Sequence, residues 1–185
     1  MIDEFLQDAR EHMDKSVEAT RQKFTSVRAG RASPNLLDRI NVDYYGTMTP
    51  LRQMATINAP EARLITVQPY DKSSLKAIER AILESDLGLT PNNDGTIIRL
   101  QIPELTEERR KQLVKVVRGL TEDGKIAVRN IRRDTLHDLR ELRDAGEAGS
   151  DDEHRAEEAL QRLTDEKIHE LDALVKGKEE EILEV

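Results

Sequence analysis

The segment Arg109–Arg133, RRKQLVKVVRGLTEDGKIAVRNIRR, decides how this chain is read. Nine of its residues are Lys or Arg and only Glu122 and Asp123 oppose them, a local net charge of +7. The whole chain carries −8, so removing +7 leaves −15 on the remainder. A basic segment inside an acidic protein signals a directed contact with something anionic rather than general adhesion. At about 100° per residue, Lys111, Arg118, Lys125, Arg129 and Arg132 fall within about 60° of one another, with Lys115 and Arg133 at the edge. Leu113, Val117, Leu120, Ala127 and Ile131 recur at threes and fours on the roughly opposite side. The segment therefore predicts a helix that packs by one face and presents cations on another. A bland reading competes: such faces are usually solvated and laced by weak ion pairs. Two features favour nucleic-acid binding instead. The stripe is mostly Arg, which forks onto phosphates and stacks on bases, and it lacks the interleaved acids of a self-neutralised surface.

Working outward, Thr106 is the predicted N-cap of this helix, and Glu107 and Glu108 suit its positive end. The helical pattern runs to about Ala145, ~40 residues or ~60 Å. Gly119 and Gly124 are weak points, each costing about 1 kcal/mol relative to Ala. Gly124 falls on the packing side, where a missing side chain lets another helix approach. A turn at 146–149 leads to Ser150-Asp151-Asp152-Glu153, which reads as a capping box. Leu160, Leu163, Leu171, Leu174 and Ile182 then mark a further helix. Residues 150–185 hold thirteen Asp or Glu against five Lys or Arg. That acidic helix either neutralises part of the basic one or faces solvent, and the sequence leaves both open.

On the other side of the chain, residues 1–29 read as one amphipathic helix, with Leu6, Met13, Val17, Thr20, Phe24 and Val27 on its stripe. Gly30-Arg31-Ala32-Ser33-Pro34 ends it, since Gly suits a C-terminal cap and Pro34 pushes Ser33 out of helical conformation. The period then changes to two. Ile40, Val42 and Tyr44 alternate as a half-buried strand, Gly46 and Pro50 bracket a turn, and 54–58 and 63–68 predict two strands broken around Ala59-Pro60-Glu61. Ser73 or Ser74 caps a short helix bearing Leu75, Ile78, Ala81 and Ile82. Pro91–Gly95 is a turn signal, and 96–102 a last strand.

These elements predict an α+β chain of two domains. Residues 1–30 and 105–185 make an antiparallel three-helix bundle, and residues 31–104 make a small inserted α/β domain. Connections at 30–34 and 103–105 join the parts, so Gly30, Arg31, Ser33, Pro34, Pro103, Glu104 and Leu105 are the candidate hinge, with a rigid contact between the parts as the alternative.

Composition narrows the function classes. Charged residues make up 36% and aromatics 3%, which fits long solvent-rich helices better than one large core. Without Cys there is neither a disulfide framework nor a thiolate nucleophile or metal ligand. His12, His137, His154 and His169 sit on predicted helices without the four-residue spacing of a helical metal site. No phosphate-cradling loop occurs. No catalytic residue, metal or cofactor is expected, and neither a membrane span nor a signal peptide; a cytoplasmic location and a monomer are expected.

Four blocks carry a resemblance: RAGRASP at 28–34, LLDRINVDYYGTMTPLR at 36–52, LTEERRK at 105–111 and VRNIRRD at 128–134. In order and spacing they resemble bacterial ribosome recycling factor over nearly the whole chain. The resemblance implies an L-shaped pair of domains, the three-helix bundle and a three-layer β/α/β domain. It implies binding to large-subunit ribosomal RNA in the intersubunit space after peptide release, and splitting of the ribosome with elongation factor G and its GTP hydrolysis. A helical RNA-binding chaperone or scaffold that splits nothing is the alternative. Carried onto the matching blocks, Arg129 and Arg132 are expected to grip ribosomal RNA, with Arg133, Arg110 and Arg118 in support. Arg28 and Arg31 lie beside the hinge, where Arg28 is a candidate RNA contact and Arg31 either binds RNA or locks the domains.

Overall fold

The structure is a computed structural model that describes residues 1–27 and 30–184. In chain order its elements are α1 (Ile2–Thr25), β1 (Asn41–Tyr44), β2 (Thr47–Pro50), the single turn α2 (Leu51–Met54), β3 (Ala55–Glu61), β4 (Leu64–Pro69), α3 (Leu75–Glu84), β5 (Pro91–Asn93), β6 (Ile98–Gln101), α4 (Glu107–Asp144) and α5 (Ser150–Leu183). Two compact units result, Met1–Ala29 with Glu107–Val185, and Gly30–Thr106. The fold is α+β.

The first unit is a three-helix bundle in which α1 and α5 run the same way and α4 runs against both. Its core joins Ala9, Met13 and Val17 of α1, Val128 and Leu139 of α4, and Ala156, Leu160, Leu163 and Leu171 of α5. Burying each Met, Val or Leu side chain stabilises by about 1.5–3 kcal/mol, which offsets the marginal stability of the helices in isolation. Thr20, Thr121 and Thr164 are also buried, and each hydroxyl donates to the carbonyl four residues back, so none of these three hydroxyls is stranded. At Gly124 the close approach inferred from the pattern is real: a Cβ there would stand 2.5 Å from Thr20 Oγ1 and 3.3 Å from Leu171 Cδ2.

Lys167 of α5 is the one buried cation of this core among the described residues. Its Nζ lies 2.7 Å from Asp14 of α1 and 2.7 Å from Glu170, with Glu166 at 3.4 Å. Burial alone would lower its pKa, but hydrogen bonds to Asp14 and Glu170 outweigh that and hold it above lysine's ordinary value. The clamp ties α1 to α5.

In the second unit one core cluster runs through three layers: Val42 of the β1–β2 hairpin, Ile78 and Ile82 of α3, and Ile65, Val67, Ile98 and Leu100 of the larger sheet. That sheet is antiparallel throughout, in the order β3-β4-β6-β5.

Several local expectations are corrected. Gly46 and Pro50 do not bracket a turn. The turn is Tyr45-Gly46, both at positive φ (51° and 81°), and Thr47–Pro50 returns as β2. Tyr45 is an unusual residue for that hairpin position, which hides the signal. Pro91–Asn93 is likewise a strand, and the turn begins at Asp94, whose carboxylate accepts the N–H groups of Thr96 and Ile97. β3 continues to Glu61 through a register shift after Asn58. Ser74 is the N-cap residue of α3, as expected, but its side chain makes no capping hydrogen bond; the 3-10 turn that leads into α3 is capped by Asp71, whose carboxylate accepts the Ser73 N–H at 2.9 Å. No capping box forms at α5: Gly149 is the N-cap, Ser150 is already helical, and Glu153 turns inward to Arg143 at 2.8 Å. Finally, α1 ends at Thr25, where the Thr25 and Ser26 hydroxyls take up carbonyls of the last turn.

Candidate nucleic-acid interface

The basic helix α4 packs on a slightly different face than its apolar residues suggest. Leu113, Val117, Thr121, Gly124, Val128, Thr135 and Leu139 are buried, whereas Leu120, Ala127 and Ile131 are only half-buried. Threonine and glycine at closely packed levels are invisible to a hydrophobic count, and they move the face.

That rotation divides the cations. Arg118, Lys125 and Arg132, each seven residues from the next, form the flank of α4 that meets α5. Arg118 Nε lies 2.5 Å from Glu179 Oε1 and Lys125 Nζ lies 2.6 Å from Asp172 Oδ1. Arg132 Nη1 donates to Gln161 Oε1 at 3.2 Å. The side chain of Lys125 is only 16% exposed, and its hydrogen bond to Asp172 raises its pKa above the ordinary value. A raised lysine pKa gives stability that is complete below the unfolded value and is lost only as pH climbs through the folded one, so this pair holds throughout the neutral range. The acidic helix α5 therefore does neutralise part of the basic helix, along one flank.

The solvent side of α4 is different. Arg129 is exposed and makes no hydrogen bond or ion pair among the described residues. Arg133 is exposed too, with only Asp134 beside it at 3.6 Å. Lys115, fourteen residues before Arg129, lies on the same line and is exposed. On this face Arg129 reaches water without an internal competitor and Arg133 has only its exposed sequence neighbour Asp134, so guanidinium donors are available to phosphate oxygens.

The remaining candidates fall elsewhere. Arg110 is half-buried in the first turn of α4, and its Nε is buried without a hydrogen-bond partner. Arg28 lies outside the described residues. Arg31 is exposed. Of the candidate hinge residues, Gly30 has φ of +73°, and a Cβ there would come within 2.9 Å of Leu105 Cγ, so the two connecting segments touch where only glycine fits. Ser33 caps the turn begun by Pro34, accepting from the Asn35 N–H, and Glu104 pairs with Arg63 at 3.3 Å. Two exposed residues on the cationic face escape a sequence reading, Ile126 and Asn130. Their signal is an apolar residue and an amide, each three positions before an arginine of the same face.

Among the described residues no group of three or more His, Asp or Glu is placed to hold a metal ion, and no helix is long and apolar enough to cross a membrane.

Comparison with known proteins is consistent throughout. The ribosome recycling factor family model matches residues 20–183. The ribosome-recycling factor of Thermomicrobium roseum is 55% identical over 185 residues, covering 100% of both chains, and that of Rubrobacter xylanophilus 54% over 180 residues, covering 97% of each. A solution structure of a ribosome recycling factor superposes with a TM-score of 0.78 at 38% identity, covering 100% of this chain and 98% of that one. A second neighbour, from models for the T. thermophilus ribosome recycling factor and the E. coli elongation factor G bound to the E. coli post-termination complex, matches at a TM-score of 0.64 and 46% identity over 100% of both chains. A family match spanning most of the sequence, whole-length relatives at this identity and the same fold in both neighbours agree: the chain belongs to the ribosome recycling factor family.

Proposed function

We propose that this protein recycles ribosomes. It binds large-subunit ribosomal RNA between the subunits and, together with elongation factor G and GTP, separates post-termination ribosomes into subunits. The observation that carries the RNA contact is the solvent face of α4, where Arg129 and Arg133 stand exposed and outside the pairing with α5. Family membership supports the remainder, as does the structural neighbour placed with elongation factor G on a post-termination complex.

In this mechanism the bundle is the anchor and the inserted domain is the moving arm. Arg129 and Arg133 hold phosphates, and Arg132 adds a contact once it leaves Gln161, an exchange of one neutral-acceptor hydrogen bond for a charge-assisted one. The arm turns about the connections at 30–34 and 103–105. Force from elongation factor G acts on the arm while binding energy on RNA keeps the bundle fixed. GTP hydrolysis belongs to the partner, and this chain supplies positioning and leverage alone.

The test mixes post-termination ribosomes, elongation factor G and GTP with the protein and follows subunit dissociation by light scattering. Protein-dependent splitting is expected. Binding without splitting would reduce the function to that of an RNA-binding scaffold. A crosslink between the bundle and the inserted domain should preserve ribosome binding and abolish splitting, and full activity of the crosslinked protein would remove the lever.

A further inference from the structure

The α4 face carries more than phosphate-binding cations. Ile126 is 52% exposed, although a β-branched residue loses side-chain freedom in a helix and this one recovers only part of its apolar burial. Four residues on, Asn130 is exposed and makes no hydrogen bond among the described residues. Asparagine is also a poor helix residue, favoured at caps and turns rather than mid-helix, and α4 continues for fourteen residues past it. At about 100° per residue, Ile126, Arg129, Asn130 and Arg133 share about 100° of arc on one side of α4. The N-terminal border of this cluster is Glu122 and Asp123, of which Glu122 lies 3.6 Å from Lys125. An anionic ligand is thereby confined to the stretch from Ile126 onward.

A site that only neutralised phosphate would have no use for an exposed isoleucine or a free amide. Contacts that read an RNA base combine a surface against which its face lies, most often an aromatic ring or a guanidinium plane and here an aliphatic side chain, with a donor–acceptor pair for its edge. Resting on the RNA-binding reading above, we infer that Ile126 and Asn130 contact a splayed-out RNA base, Ile126 against its face and Asn130 through the side-chain amide at its edge. Arg129 and Arg133 hold the flanking phosphates. The α4 face thus reads a particular place in the RNA as well as its charge.

The experiment measures binding of the full-length protein to purified large ribosomal subunits over a range of salt concentrations. Asn130→Ala and Ile126→Ala should each weaken binding roughly tenfold at every salt concentration, with the salt dependence unchanged, because no phosphate contact is lost. Asn130→Gln should recover part of the loss. Arg129→Ala should weaken binding and also make it less steeply salt-dependent. Ala improves helix propensity at both positions, so a thermal melt at or above that of the parent excludes misfolding as the cause. Wild-type affinity in both Asn130→Ala and Ile126→Ala, with Arg129→Ala impaired, overturns the base contact and leaves phosphate binding standing. Wild-type affinity in Arg129→Ala would instead sink the RNA-binding reading itself. A loss in the Ala variants that comes with a flattened salt dependence also overturns the base contact, since those residues would then act through the arginines.

Discussion

The two sides of α4 carry the same residue types and have opposite fates. On the flank facing α5, Arg118 and Lys125 meet carboxylates at 2.5 and 2.6 Å. On the solvent side, Arg129 and Arg133 lie one or two turns away and reach water. The difference comes from the neighbouring helix, since α5 brings Asp172 and Glu179 to one flank only. A cation count along a helix therefore overstates its capacity for nucleic acid, and the part covered by an acidic neighbour must be subtracted. What remains is a shorter, sharper patch toward the C-terminal half of α4.

The largest effect is expected from reversing the charge of the free side. Arg129→Glu with Arg133→Glu should lower affinity for large ribosomal subunits by about a hundredfold or more, since two charge-assisted contacts are replaced by repulsion. Circular dichroism should show an unchanged fold, because neither side chain supports the bundle. Near-normal affinity would place the RNA contact on another surface. Reversing the covered side should do the opposite. Lys125→Glu puts a carboxylate against Asp172 in a largely buried position and should destabilise the bundle by about 1–2 kcal/mol in urea titration. Its effect on subunit affinity should be small. A large loss of affinity with unchanged stability would mean that the covered flank opens to bind.

The glycines sharpen the same contrast at lower amplitude. Gly124 has no room for a methyl group against Thr20 and Leu171, so Gly124→Ala should cost about 1 kcal/mol net of its helix propensity gain. Gly119 faces open space, with nothing within 4 Å of a built Cβ. Gly119→Ala should stabilise the free protein by up to about 1 kcal/mol. Opposite signs of the two shifts in thermal melts are expected, and equal signs would contradict the assigned orientation of α4.

Much of the fold is legible in the sequence, and the residues show why. Periodicity finds α1, α4 and α5, because long apolar stripes persist whatever the tertiary context. Short elements are less legible. Strand β2 hides behind a Tyr45-Gly46 turn, and β5 lies in a Pro-Asn-Asn run that reads locally as a turn. Both gain their identity from pairing with a neighbouring strand. The capping box at Ser150 fails because Glu153 finds a better partner in Arg143, which lies before the preceding turn. The arginines of the site can be named from the sequence, but Ile126 and Asn130 cannot. A residue's exposure on a helix is known only once the packing face is known.

Three long helices, the inserted α/β unit, the concentration of cations in one helix and of acids in another, and the family are all readable along the chain. These depend on local periodicity, on summed charge and on long matching blocks. The tertiary structure alone decided which cations are spent on α5 and which are left for a ligand. The physical reason is one of range. A helix's amphipathic period is set within a few turns of chain, whereas ion pairing falls off over a few ångströms and depends on the rotation of one helix against another. That rotation was set by Gly124 and the threonines packed at its level.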